Sequence, residues 1–203
     1  MGKLFCLVGK SGSGKDTLFK SIVNDTRFSV TPVIPYTTRP RRKDEKEGID
    51  YHFVTPGEMQ EMERNNEIIE KRAYDTTEGV WFYFTKSFSV SGGGGISLMI
   101  TTPEALGKLA AGLGSENIVV LLLDADGRIR IERSLQRESE EEFPNYSEVC
   151  RRYLADEKDF AVFTDEAPGQ YYGFFAINAD GPVEECLRQF EKIYSFIQTN
   201  LVS

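Results

Sequence analysis

Gly9-Lys10-Ser11-Gly12-Ser13-Gly14-Lys15 has the spacing G-x-x-x-x-G-K, and Asp16 and Thr17 follow it directly. Glycines let a loop curl until successive backbone N–H groups point inward at an anion, and a helix that opens there turns its positive end to the same anion. A lysine closing such a loop reaches the β and γ phosphates of a nucleotide. The chemistry indicated is the holding of a nucleoside triphosphate by Gly9, Ser11, Gly12, Ser13, Gly14, Lys15, Asp16 and Thr17. The residue after the lysine usually offers a hydroxyl to Mg²⁺. Here it is Asp16, whose carboxylate could serve directly or through water, or could simply favour a helix start. Thr17 offers a hydroxyl one position later, and Asp124 ends an apolar run. The group that orders the metal's water is left open among these three.

A second cluster, Arg39, Arg41 and Arg42 within residues 35–54, is basic in a chain that is otherwise acidic. Lys and Arg total 24 against 32 Asp and Glu, a formal charge of −8. Arginine forks grip phosphate oxygens in pairs, and a tyrosine hydroxyl can add a bond. The overall negative charge argues against nucleic acid or an anionic membrane as partner, so an anionic substrate needs such a local site. Arg133 and Arg137, four apart, share a helix face. His52 is the single histidine, and on an alternating strand it points away from this chemistry.

These residues need elements to position them. Leu4–Val8 reads as a buried strand. Leu18, Phe19, Ile22 and Val23 mark one face of a helix over 16–24. Residues 35–51 are too polar and charged for regular core. A helix is expected at 56–66, a strand at 80–85, a flexible glycine loop at 89–95, and a strand at Ile96–Thr101 with a helix opening near Pro103. Residues 119–126 give a further strand, 128–137 a helix, and 138–147 an acidic loop. Residues 172–178 read as a last strand. From Pro182 onward a long helix places Val183, Cys186, Leu187, Phe190, Tyr194 and Ile197 on its core face. Strands alternating with helices predict an α/β fold, a mostly parallel sheet with helices on both faces, and residues 35–95 fit it as an insertion. The three cysteines, Cys6, Cys150 and Cys186, form no metal motif and suit a cytoplasmic setting. No apolar run is long enough for a membrane span, and the start of the chain is too short in apolar residues for a signal peptide.

Thr37-Thr38-Arg39-Pro40-Arg41-Arg42, then Gly48-Ile49-Asp50-Tyr51-His52-Phe53, then Asn65-Asn66-Glu67-Ile68-Ile69-Glu70 resemble the monophosphate site of guanylate kinases. With the glycine loop before them and Arg133, Arg137 and Arg152 after, the resemblance covers nearly the whole chain. It implies a P-loop kinase fold, with a core at 1–34 and 96–203, a monophosphate-binding insertion at 35–95 and a lid at about 137–150. The implied reaction moves the γ-phosphate of ATP to GMP or dGMP with Mg²⁺, in a monomer or homodimer. By position, Thr38, Arg39, Arg42, Tyr51 and Tyr83 would hold the acceptor and its phosphate. Glu70, Thr85 and Thr101 would lie at its base, and Lys15, Arg133, Arg137 and Arg152 around the transferring group. Asp16 and Thr17 would be the residues nearest the metal.

The sequence also departs from that pattern. Pro35 stands where a base-reading serine is usual, and Thr101 where an acid is usual. Tyr83-Phe84 replaces a tyrosine–glycine turn, and the shifted Pro40 lets Arg41 and Arg42 exchange roles. Asp16 is shared with kinases of ribose 1,5-bisphosphate, a second reading. A binding-only domain of guanylate-kinase type is a third, which the intact glycine loop disfavours.

Overall fold

Residues of the first strand point alternately to two apolar clusters, which gives one sheet two covered faces. In the computed structural model, strand β1 spans Lys3–Gly9. Phe5 and Leu7 join one apolar cluster, with Leu18, Ile22 and Phe190, while Leu4, Cys6 and Val8 join another, with Leu106, Leu109 and Ile118. A strand buried on both sides must be apolar at every position, as this one is. The structure describes residues 2–43, 45–76, 79–87, 95–163 and 167–202. The glycine loop expected at 89–95 lies outside them except for Gly95.

After β1 come helix α1 (Lys15–Asn24), strand β2 (Val30–Pro32), the short strands β3 (Tyr36–Thr37) and β4 (His52–Phe53), and helix α2 (Pro56–Arg64). Strands β5 (Ile68–Thr76) and β6 (Gly79–Lys86) follow, then β7 (Ile96–Ile100) and α3 (Pro103–Leu113). The chain continues with β8 (Ile118–Asp124), α4 (Gly127–Ser139), α5 (Tyr146–Asp159), β9 (Gly173–Asn178) and α6 (Val183–Val202).

The main sheet has the order β2-β7-β1-β8-β9, and all its pairings are parallel. The α/β expectation therefore holds. Helices α1 and α6 cover one face and α3 the other, with Cys186, Phe190, Tyr194 and Ile197 of α6 buried as the periodicity required. Each large apolar side chain so covered contributes on the order of 1.5–3 kcal/mol.

The second sheet, β4-β3-β6-β5, is mixed and lies within residues 36–86. Its core is small: Tyr36, Met59 and Phe84, with Tyr36 stacked on Phe84 at 5.2 Å. Helix α2 starts on a capping box in which Thr55 and Glu58 exchange bonds, and it ends at Arg64, short of the expected 66. Residues 35–51 are not all excluded from the core. Tyr36, Thr37 and Arg39 are buried, because a two-residue strand suffices to pair with β6 and carry them inward.

Helix α5 was not expected from the sequence, where its start lies inside the acidic stretch 138–147 that reads as a loop. Asn145 caps it by accepting from the Glu148 N–H at 3.1 Å. No helix among the described residues is long and apolar enough to cross a membrane.

Candidate active site

In parallel α/β sheets ligands gather at the carboxyl ends of the strands. Here those ends bring Gly9 of β1 beside Thr101, just past β7, whose N–H donates to Leu7 O at 3.0 Å. Between them and the second sheet opens a cavity of about 450 Å³. Gly9, Ser11 and Lys15 line one end, and Arg39, Arg42, Tyr51 and Tyr83 the other. Pro35, Arg72, Tyr74, Ile100, Thr101 and Phe160 are among the residues that form its walls.

The glycine loop has the geometry its sequence demands. Gly12 and Gly14 sit at φ 77° and 92°, where a side chain is strained, and a Cβ on Gly12 would come within 2.3 Å of Arg130 O. Gly14 lies directly before α1, so the loop delivers its N–H groups at a helix N-terminus. Lys15 folds back over the loop, donating to Gly9 O at 2.6 Å and Lys10 O at 3.1 Å. Burial holds its ammonium below the ordinary lysine range, partly countered by Asp16 and Asp156. The Ser13 hydroxyl is buried and makes no hydrogen bond among the described residues.

At the other end Arg39 is buried, with its guanidinium clamped end-on by Glu45 at 2.7 and 3.0 Å and its Nε donating to Tyr83 Oη at 3.1 Å. The Arg39 guanidinium and the Arg42 N–H hold the Glu45 carboxyl below the usual range, and Tyr51 is pushed up, chiefly by burial. Glu45 thus sits in the cradle where the resemblance places the acceptor's phosphate. At the glycine loop, Asp156 of α5 accepts from the Ser11 N–H at 2.5 Å. Beside it Glu157 bridges Lys10 at 2.6 Å and Arg130 at 2.8 Å. Each of the two places expected to hold phosphate is occupied by a carboxylate of the chain itself.

The remaining candidates are distributed unevenly. Thr38 is spent on the fold, its Oγ1 accepting from the Phe82 N–H at 2.9 Å. Glu70 and Thr85 are bonded to each other at 2.9 Å behind the cavity wall. Asp16 faces a smaller space shared with Arg42, Glu45 and Tyr51, whereas Thr17 faces another with Ser13, Gly14 and Arg133 on the opposite flank of the loop. Asp124 opens onto a third, with Lys10, Arg130 and Asp180.

None of Arg133, Arg137 and Arg152 lines the main cavity. Arg133 donates to the carbonyls of Ala179 at 2.9 Å and Asp180 at 3.1 Å, tying α4 to the turn before α6. Arg137 is exposed, near enough to Lys15 to oppose its charge. Arg152 lies 3.4 Å from Glu148 and 3.8 Å from Glu138. Sequence reasoning missed Glu45, Arg72 and Asp156. Only Arg72 carried a local signal, its spacing of two from Glu70 on a strand.

The family model described as guanylate kinase matches residues 1–82. The guanylate kinase of Syntrophotalea carbinolica is 48% identical over 58 residues, 27% of this chain and 26% of that protein. That of Nitrosomonas europaea is 39% identical over 70 residues, 34% of each chain. The one from Schizosaccharomyces pombe is 42% identical over 62 residues, 30% of this chain and 31% of that protein. The chain thus matches about a quarter to a third of the length of these curated relatives. In three dimensions it resembles the crystal structure of guanylate kinase from Anaplasma phagocytophilum, with a TM-score of 0.59 and 21% identity over 97% of this chain and 86% of that one. At that identity the likeness concerns the fold.

Proposed function

We propose that this chain, whose first 82 residues match the guanylate kinase family model, belongs to that family and transfers the γ-phosphoryl group of ATP to GMP or dGMP, yielding ADP and GDP or dGDP. The observation that supports this most is the single cavity joining the glycine loop to the Arg39–Tyr51–Tyr83 cluster, with an anion already seated at each end. A carboxylate held by loop N–H groups or by an arginine fork marks a place suited to phosphate oxygens.

On this reading the loop and Lys15 hold the donor's phosphates. Arg39, Arg42, Tyr51 and Tyr83 hold the acceptor's, and the two substrates meet in line between them. Phosphoryl transfer spreads negative charge over equatorial oxygens, so positioning and fixed positive charge supply most of the rate. Arg137 and Arg152 belong to α4 and α5, which flank residues 140–145, and they join the transferring group when this lid closes over ATP and excludes water. Arg133 acts from outside the cavity, by holding the loop against the turn before α6.

Among the described residues no group of three or more His, Cys, Asp or Glu side chains is arranged to hold a metal ion. Mg²⁺ carried in on ATP needs none, because phosphate oxygens and water fill most of its shell and one carboxylate suffices. Asp16, exposed at the start of α1 on the acceptor side, fits that part, and Thr17 on the opposite flank fits it less well. Bound there, the ion would neutralise charge on the β and γ phosphates. The unpaired state of Cys6, Cys150 and Cys186 goes with a cytoplasmic setting.

The test is ADP release from Mg·ATP with GMP, dGMP, AMP, CMP, UMP and ribose 1,5-bisphosphate offered separately. Turnover confined to GMP and dGMP is the expected result. Turnover with another acceptor alone, or with none, would overturn the assignment.

A further inference from the structure

Glu70 is the residue that the resemblance assigns to the acceptor base, yet its side chain is wholly buried and does not line the cavity. Its Oε2 accepts from Arg72 Nε at 3.1 Å, and its Oε1 from the Thr85 hydroxyl at 2.9 Å and Arg72 Nη2 at 3.4 Å. Withdrawing Glu70 from that pair to meet a ligand would leave a buried arginine without its counter-charge, which is costly.

Arg72 faces the cavity in its place. Its Nη1 donates to Thr102 Oγ1 at 3.1 Å. A guanidinium has five N–H donors. These bonds leave one hydrogen on each terminal nitrogen without a partner among the described residues. Beside it stands Thr101, only 5% exposed, whose hydroxyl makes no hydrogen bond among the described residues and which lines the same cavity. Tyr74, Pro35 and Ile100 supply flat or apolar wall around these groups.

We propose that Arg72 reads the acceptor base by donating to the O6 and N7 edge of guanine, with the Thr101 hydroxyl as a second contact, and that Glu70 is a positioning residue that aims the guanidinium. The inference rests on the nucleoside-monophosphate reading above and specifies how the base is recognised. Guanine presents two acceptors on that edge, matched by an arginine fork, whereas adenine presents a donor at N6 that the fork would oppose. Pro35 cannot donate a hydrogen bond from its side chain and Thr101 carries no charge, so the fork is the strongest donor on this stretch of the cavity wall.

The test uses two acceptor analogues with the unaltered protein. IMP keeps O6 and N7 and lacks the 2-amino group, while 7-deaza-GMP keeps the 2-amino group and lacks N7. Expected is a loss in kcat/KM of ~10-fold or more for 7-deaza-GMP, the scale of a lost bond to a charged donor, and a smaller loss for IMP. The reverse order would mean that a carboxylate reads N1–H and the 2-amino group, and would overturn the proposal. Arg72→Lys keeps the charge beside Glu70 without the fork and should bring the preference for GMP over 7-deaza-GMP down to a few-fold at most. Glu70→Gln should lower the same ratio, and Glu70→Asp should restore part of it. A ratio unchanged in Arg72→Lys would also refute it. Absence of GMP turnover by the unaltered protein would remove the kinase reading and this one together. GMP turnover with IMP as the impaired analogue would remove this one alone.

Discussion

The Asp156 carboxylate accepts the Ser11 N–H at 2.5 Å and so fastens α5 to the glycine loop across 145 residues of sequence. On the proposed reading it occupies a donor that the nucleotide's phosphate would use, and a phosphate entering the loop would have to displace it. Asp156→Asn removes the charge from that bond while Glu157 still anchors α5 through Lys10 and Arg130. Affinity for Mg·ATP, titrated calorimetrically without acceptor, should rise ~3- to 10-fold, since a charge-assisted bond no longer competes. Unchanged or weaker binding would show that the contact does not oppose the nucleotide.

Lys15 carries the fixed charge nearest the loop's centre. Its removal in Lys15→Ala should lower turnover by a factor of ~10² or more, because charge that is preorganised where negative charge develops costs nothing to orient during reaction. Turnover near that of the unaltered protein, measured by coupled ADP release, would sink the proposed role.

Glu45 and Arg39 make the corresponding pair at the acceptor end. Glu45→Gln leaves Arg39, only 4% exposed, without its counter-charge, so the melting temperature should fall. A phosphate should then find the cradle vacant. The rise in melting temperature on adding GMP should exceed that of the unaltered protein. An equal or smaller rise would mean that the acceptor's phosphate binds elsewhere.

The same carboxylates set a direction for stability against pH. Glu45 is held low chiefly by its hydrogen bonds to Arg39, and Glu157 chiefly by its bond to Lys10 and then Arg130. A carboxyl whose folded value lies below its unfolded one, 4.5 for these groups, contributes stability above that value and loses it as pH falls through the folded one. The melting temperature, on this account, is insensitive to these pairs from neutrality down to about pH 4.5 and drops below it. The drop should be smaller in Glu45→Gln. A variant as acid-sensitive as the unaltered protein would show that the Glu45 pair contributes nothing to acid stability.

Much of the fold was legible because its signals are local. The unbroken apolar run Leu4–Val8 told of a strand covered on both faces, and the spacing of Cys186, Phe190, Tyr194 and Ile197 told of one helical stripe. Helix α5 escaped because its start, Tyr146, lies inside the acidic stretch 138–147 that reads as a loop, and Tyr36 and Arg39 looked exposed because nothing in residues 35–51 announces the β6 strand that buries them.

By itself the sequence determined the glycine loop: its glycines, its lysine and the helix behind it are neighbours in the chain, and backbone geometry there follows from residue type. It also determined the arginine–tyrosine set through residue types and their resemblance. Only the tertiary structure decided which side chains face the cavity. Asp156 on the Ser11 N–H, Glu45 on Arg39 and Glu70 on Arg72 are bonds made by charged side chains. Those of Asp156 and of the wall around Arg72 depend on how α5 and the second sheet dock against the ends of β1 and β7. Charges pair with whatever lies near in space, and docking, not spacing along the chain, sets that distance.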